Sequence, residues 1–77
     1  MIPIRKLLDK IKWDSKEQKQ DYEISYLDRI TGEEIRVGYD RIKEYDNEFF
    51  ELEGSSIPLH RIKKVYKKGK LIWERKH

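Results

Sequence analysis

The hydrophobic positions of this chain change period once. Between Ile2 and Trp13 they fall at Ile4, Leu7, Leu8 and Ile11, the spacing of one helical face, and Pro3 suits the first turn. That predicts a helix. Asp14 to Gln20 has no apolar residue and is expected to be a solvated connection, with Trp13 capping the core at the end of the helix.

From residue 21 onward the period is two. Tyr22, Ile24 and Tyr26 alternate with polar residues, Ile30-Thr31-Gly32-Glu33 supplies a turn, and Ile35, Val37 and Tyr39 alternate again, which reads as a hairpin. Residues 40–45 predict a turn leading into a short strand, and Asp46-Asn47 is turn chemistry. A strand over 48–53 would bury Phe50 and Leu52, and Gly54-Ser55 turns the chain into the stretch 56–62. Lys68-Gly69 is a tight turn before a closing strand in which Leu71 and Trp73 are expected on one face. The fold class is therefore α+β: an N-terminal helix followed by a small, strongly curved antiparallel sheet or barrel of short strands, in a single domain over residues 1–77. No internal repeat, linker or low-complexity tract stands out.

Ser56-Ile57-Pro58-Leu59-His60-Arg61-Ile62 is the stretch with the most chemistry. Ile57 and Leu59 are expected to face inward, and Ser56, Pro58 and His60 outward. Pro58 has no N–H for a ladder, so this segment belongs at a sheet edge or beside an irregularity.

Composition narrows the class. Seventy-seven residues hold one core and bury only about 60% of the unfolded surface. There is no cysteine, hence no disulfide, thiolate zinc site or catalytic thiol, and a reducing cytoplasm is the expected location. No apolar run approaches the roughly 18 residues of a membrane span, so no membrane partner is expected. Charged residues make up 43% of the chain, but aromatic and branched aliphatic residues recur throughout, which argues for a folded domain. The charge is segregated: residues 55–77 carry eight basic residues against one acidic, and 39–54 carry two against six. Such asymmetry suits a polyanion partner, and Lys63, Lys64, Lys67, Lys68 and Lys70 with Arg61 are expected to form a basic surface.

Several chemistries are poorly served. His60 is the one internal imidazole and has no second His or Cys at ligand spacing, so neither a metal centre nor any cofactor is implied. Asp40, Glu44 and Asp46 read as a solvated acidic turn before they read as a Mg²⁺ site. On a regular strand Ser56 and His60 would lie about 13 Å apart, too far for a nucleophile and its base. Acid–base cleavage or closure of a phosphodiester normally takes two proton-transfer groups, and terminal His77 is a poor second. What remains is a set of phosphate partners amid aromatics, which favours binding over turnover.

Ile11-Lys12-Trp13-Asp14, Asp21-Tyr22-Glu23-Ile24, Asp28-Arg29, Ile57-Pro58-Leu59-His60-Arg61-Ile62 and Gly69-Lys70-Leu71-Ile72-Trp73 together resemble the RNA cyclic group end recognition domain family of small archaeal proteins. The resemblance spans nearly the whole chain, and its most specific element is Ile-Pro-x-His-Arg-Ile. It implies a non-enzymatic RNA-binding module for processed 3′ ends such as a 2′,3′-cyclic phosphate, working beside a separate RNA-end-processing enzyme. His60, Arg61, Arg29, Lys63, Lys64 and Lys67 are the expected RNA and phosphate contacts, with Trp13, Asp14, Asp28, Pro58 and Trp73 as neighbours of the site. No catalytic residue is assigned. A small RNA-end phosphoesterase using His60 and a protein-interaction domain with a basic surface are the competing readings. A shared grip of His60 and Arg61 on one phosphate requires an irregular backbone at that point, because adjacent strand residues face opposite ways.

Overall fold

The 3.6-residue spacing near the N-terminus becomes helix α1, Ile4–Trp13, in a computed structural model that describes residues 2–14 and 18–75. The middle of the expected connection, residues 15–17, and His77 lie outside the described residues. Pro3 is the N-cap, and its carbonyl accepts the N–H groups of Lys6 and Leu7. Ile4, Leu7, Leu8 and Ile11 are all buried, each contributing about 1.5–3 kcal/mol by area.

Seven strands follow: β1 Tyr22–Leu27, β2 Glu34–Gly38, β3 Ile42–Tyr45, β4 Phe49–Leu52, β5 Ser55–Pro58, β6 Ile62–Lys67 and β7 Lys70–Glu74. They do not close into the barrel that so many short strands suggest. They divide into two antiparallel sheets, ordered β2-β1-β6-β7 and β3-β4-β5. Two of the hairpins turn on residue pairs with positive φ, Glu53-Gly54 between β4 and β5 and Lys68-Gly69 between β6 and β7, the type I′ geometry that favours glycine second.

The chain passes between the sheets at two single turns of 3₁₀ helix, Tyr39–Arg41 and Leu59–Arg61. Both crossings carry Arg-Ile-Lys, in Tyr39-Asp40-Arg41-Ile42-Lys43 and Leu59-His60-Arg61-Ile62-Lys63. In each crossing the first residue is buried, Tyr39 or Leu59, and the Arg is followed by an Ile that starts a strand. Both sheet-to-sheet corners are closed the same way, by the N–H of the Ile donating to the carbonyl of the buried first residue.

Helix α1 ties the two sheets together. The Tyr45 hydroxyl of β3 donates to Asp9 at 2.6 Å, and the Trp73 indole N–H of β7 donates to the Ile2 carbonyl at 2.8 Å. The Tyr39 hydroxyl donates to the Leu8 carbonyl at 3.1 Å, and Arg5 bonds Asn47. Phe50, Ile24, Ile62 and Val65 fill the space beneath the helix.

Two expectations fail for local reasons. Trp13 does not cap the core; it is 76% exposed. It sits two residues beyond Ile11, about 200° around the helix from the buried stripe. Leu71 and Trp73 do not share a face either, since Leu71 is 44% exposed and Trp73 only 7%. The β6–β7 register slips between Val65 and Tyr66, pairing Tyr66 with Leu71 but Val65 with Trp73, and this bulge breaks the alternation.

Candidate functional site

Three pieces distant in sequence converge at one end of β1: the β1–β2 turn, the start of β4, and β5 with the crossing that follows it. They enclose a cleft of about 350 Å³ whose lining includes Asp28, Arg29, Phe49, Ser56, Pro58 and Arg61. The β1–β2 turn is rigid because Asp28 bonds across it. Its N–H donates to the Glu33 carbonyl, its carbonyl accepts from Gly32, and its Oδ1 accepts the Ile30 N–H at 2.8 Å. Asp28 is thus a turn-former that sets where Arg29 emerges. On the other wall, Pro58 ends edge strand β5, and the Leu59 N–H donates to the Glu48 carbonyl at 2.8 Å. A 3₁₀ turn then replaces the expected continuation of the strand, so the backbone at His60 and Arg61 is irregular.

The arginines separate into two groups. Arg5 bonds Asp9 and Asn47, Arg36 pairs with Glu23 at 2.9 Å and lies over Tyr66, Arg41 pairs with Glu53, and Arg75 donates to backbone carbonyls. Arg29 and Arg61 have no ion pair or side-chain hydrogen bond among the described residues, and both line the cleft. Arg41 in the first crossing pairs with Glu53, whereas Arg61 at the same position of the second forms no ion pair among the described residues.

His60 is exposed on the same turn as Arg61 but does not line the cleft. Successive residues of a 3₁₀ helix are about 120° apart, which puts the imidazole on the rim and the guanidinium inside. Sequence reading missed Arg75. Its Nε donates to the Ile62 carbonyl at 2.9 Å, its Nη2 lies 3.4 Å from the Leu59 carbonyl, and its guanidinium sits 5.3 Å from the Trp73 ring centroid. It clamps the two carbonyls that bracket His60 and Arg61. Nothing local marks it, because a lone Arg near a chain end looks like any solvated cation. Phe49 was also missed, since alternation singled out Phe50 instead.

The remaining expected contacts are not gathered here. Lys63 follows the crossing, and its carbonyl accepts the Arg75 N–H. Lys64 pairs with Glu34 at 3.5 Å. Lys67, at odd spacing from Lys64, lies over the Tyr22 ring with 5.7 Å to its centroid. Asp14, Lys67 and Trp73 line a separate, mainly apolar groove of about 690 Å³ between α1 and β7. That groove includes Tyr22 and the cleft includes Leu27, so most of β1, about 17 Å of strand, separates them. Trp13 stands outside both, beneath the Lys12 ammonium.

Among the described residues no group of three or more His, Asp or Glu side chains is placed to hold a metal ion, and no helix is long and apolar enough to cross a membrane. The chemistry on offer is electrostatic and apolar: two guanidinium groups in no ion pair among the described residues, the turn-forming Asp28 carboxylate, serine hydroxyls, and an exposed phenyl ring. Helix, two small antiparallel sheets and this cleft define a small α+β domain with two arginines in one surface cleft. The chain belongs to the MJ1316 RNA cyclic group end recognition domain family, whose pattern matches residues 1–75. It is similar to the UPF0248 protein of Pyrococcus abyssi, 38% identical over 72 residues that cover 92% of this chain and 87% of the relative. The UPF0248 proteins of Thermococcus sibiricus and Metallosphaera sedula are 34% and 30% identical, covering 95% and 96% of this chain and 85% and 94% of their own lengths. No solved structure matches the chain significantly.

Proposed function

We propose that this protein is a non-enzymatic module that binds processed RNA 3′ ends, with Arg29 and Arg61 holding the terminal phosphate and His60 at the rim of the same site. The observation that carries the reading is the pairing of these two arginines. They are 32 positions apart in sequence and line one cleft, while the other four arginines are engaged in ion pairs or with backbone carbonyls. A 2′,3′-cyclic phosphate carries one negative charge and two non-bridging acceptor oxygens, which matches the planar, forked donor set of a guanidinium. The family description names RNA cyclic group ends, and supports this ligand class. Binding is preferred to turnover because two proton-transfer groups are normally needed to break or close a phosphodiester, and here the His60 imidazole lies outside the cleft lining while the cleft's carboxylate, Asp28, is tied through Oδ1 to the Ile30 N–H of its own turn. Any chemistry on the end then belongs to a separate enzyme.

Matched single-stranded oligonucleotides ending in 2′,3′-cyclic phosphate, 3′-phosphate and 3′-hydroxyl test this. The expected result is tightest binding of the cyclic end, with the strand recovered unchanged by mass spectrometry. Equal affinity for all three would remove the end-recognition reading, and conversion of the cyclic end would make the protein a phosphoesterase.

A further inference from the structure

The cleft has an apolar wall as well as its two arginines. Phe49 opens β4 and stands directly opposite Pro58 of β5 in the antiparallel register. Side chains so opposed have Cβ atoms about 4.5–5.5 Å apart, so the phenyl and pyrrolidine rings form one apolar wall. The two adjacent phenylalanines have different fates. Phe50 is 1% exposed and meets the Tyr26 ring edge-on with centroids 5.8 Å apart, whereas Phe49 is 41% exposed and lines the cleft.

Phe49 is also held in place. Asp46 Oδ1 accepts the N–H groups of Phe49 and Glu48, each at 2.8 Å, and the Asp46 N–H donates to the Phe49 carbonyl at 2.8 Å. Both backbone polar groups of Phe49 are therefore bonded to Asp46, and the ring is presented from a fixed point without needing a ligand.

We infer that Phe49, backed by Pro58, is the platform for a single unpaired terminal base, so that the cleft takes the last nucleotide of a single strand and rejects the end of a duplex. This rests on the reading above, in which Arg29 and Arg61 hold the phosphate. A ligand that fills both halves must carry an anion joined to a flat apolar group, which describes a nucleotide better than a free phosphate or a phosphorylated side chain. Every base has a π-face, so such a platform accepts all four with modest preference. The volume of about 350 Å³ is near the lower end of ligand pockets, roughly 300–1,000 Å³. It suits one nucleotide. A paired base brings its partner strand with it, and that strand would have to lie outside a cleft that holds about one nucleotide.

The test uses a labelled hexanucleotide ending in a 2′,3′-cyclic phosphate, the same strand with an abasic last residue, and the first strand in a blunt duplex. Wild-type protein is expected to lose about tenfold in affinity when the last base is removed, and at least as much when it is paired. Phe49→Leu should lose about tenfold for the base-bearing strand and nothing for the abasic one, while Phe49→Tyr keeps the wild-type pattern. Equal weakening of both strands by Phe49→Leu, no weakening of either, or a duplex end bound as tightly as the single strand would overturn the inference. Repeating the set with 3′-hydroxyl ends separates the two readings. If cyclic and hydroxyl ends bind alike, phosphate recognition has failed, yet a base-dependent loss in Phe49→Leu still establishes the platform.

Discussion

The guanidinium of Arg75 donates to the carbonyl of Ile62 at 2.9 Å, joining the residue after the last strand to the first residue of β6. Its second contact, to Leu59, makes it a bracket around the crossing that presents His60 and Arg61. A single 3₁₀ turn has few internal hydrogen bonds, so an outside donor contributes much of its definition.

Arg75→Ala is expected to lower stability by about 1–3 kcal/mol, the range for leaving buried acceptors unsatisfied, as read from the urea midpoint. It should also reduce the ratio of cyclic-end to hydroxyl-end affinity, an effect that loss of stability alone would not produce in protein that is still folded. Arg75→Lys should restore only part of that ratio, because one ammonium lacks the forked geometry. An unchanged ratio in Arg75→Ala would mean that the turn keeps its shape unaided.

Arg29→Ala and Arg61→Ala should each weaken the cyclic-phosphate end more than the hydroxyl end. Each should also make the slope of log affinity against log salt shallower by about 0.7, the value for one phosphate contact on a single strand. His60→Ala is expected to act in the same direction but less strongly, since the imidazole is outside the cleft lining. Identical losses for both ends would reduce these residues to general backbone contacts.

The two tryptophans should respond oppositely. Trp73 is 7% exposed and its indole N–H is bonded to Ile2, so Trp73→Ala should cost about 3–5 kcal/mol and leave little folded protein. Trp13 is 76% exposed, and Trp13→Ala should change stability by no more than about 0.5 kcal/mol in a thermal or urea melt. A large loss for Trp13→Ala would contradict the placement of the indole on the outer face of α1.

Acid should weaken the contact between helix and sheet. The Tyr45 hydroxyl bonded to Asp9 holds that carboxyl below its ordinary 3.8, with Arg5 and Lys12 acting in the same direction. A carboxyl depressed in the folded state adds stability that is complete above its unfolded value and disappears as pH falls through the folded one. Burial and the Asp9 hydrogen bond raise the Tyr45 phenol above its ordinary 10.0, so its contribution is complete below that value and is lost only in strong alkali. Urea melts from pH 7 to pH 2 should therefore show declining stability. The decline should be smaller in Tyr45→Phe; an unchanged pH profile would show that the hydrogen bond does not couple protonation to folding.

The sequence by itself determined the helix, the positions of most strands and the tight turn at Lys68-Gly69, because period, proline and glycine act within a few residues. Through the family resemblance it also gathered eleven residues about one expected site, of which Asp28, Arg29, Pro58 and Arg61 line one cleft, while Asp14, Lys67 and Trp73 line a separate groove. What it could not determine were relations that depend on where distant segments meet. A one-residue bulge separates Leu71 from Trp73, and an offset of about 200° on a helix turns Trp13 outward. The similarity of the 39–41 and 59–61 crossings becomes meaningful only when both are seen to pass between the same two sheets. Charge was the least legible property. A lysine or arginine has the same formal charge wherever it lies, but only tertiary contacts determine that Lys64 meets Glu34 and Arg41 meets Glu53, while Arg29 and Arg61 line a common cleft with no ion pair among the described residues.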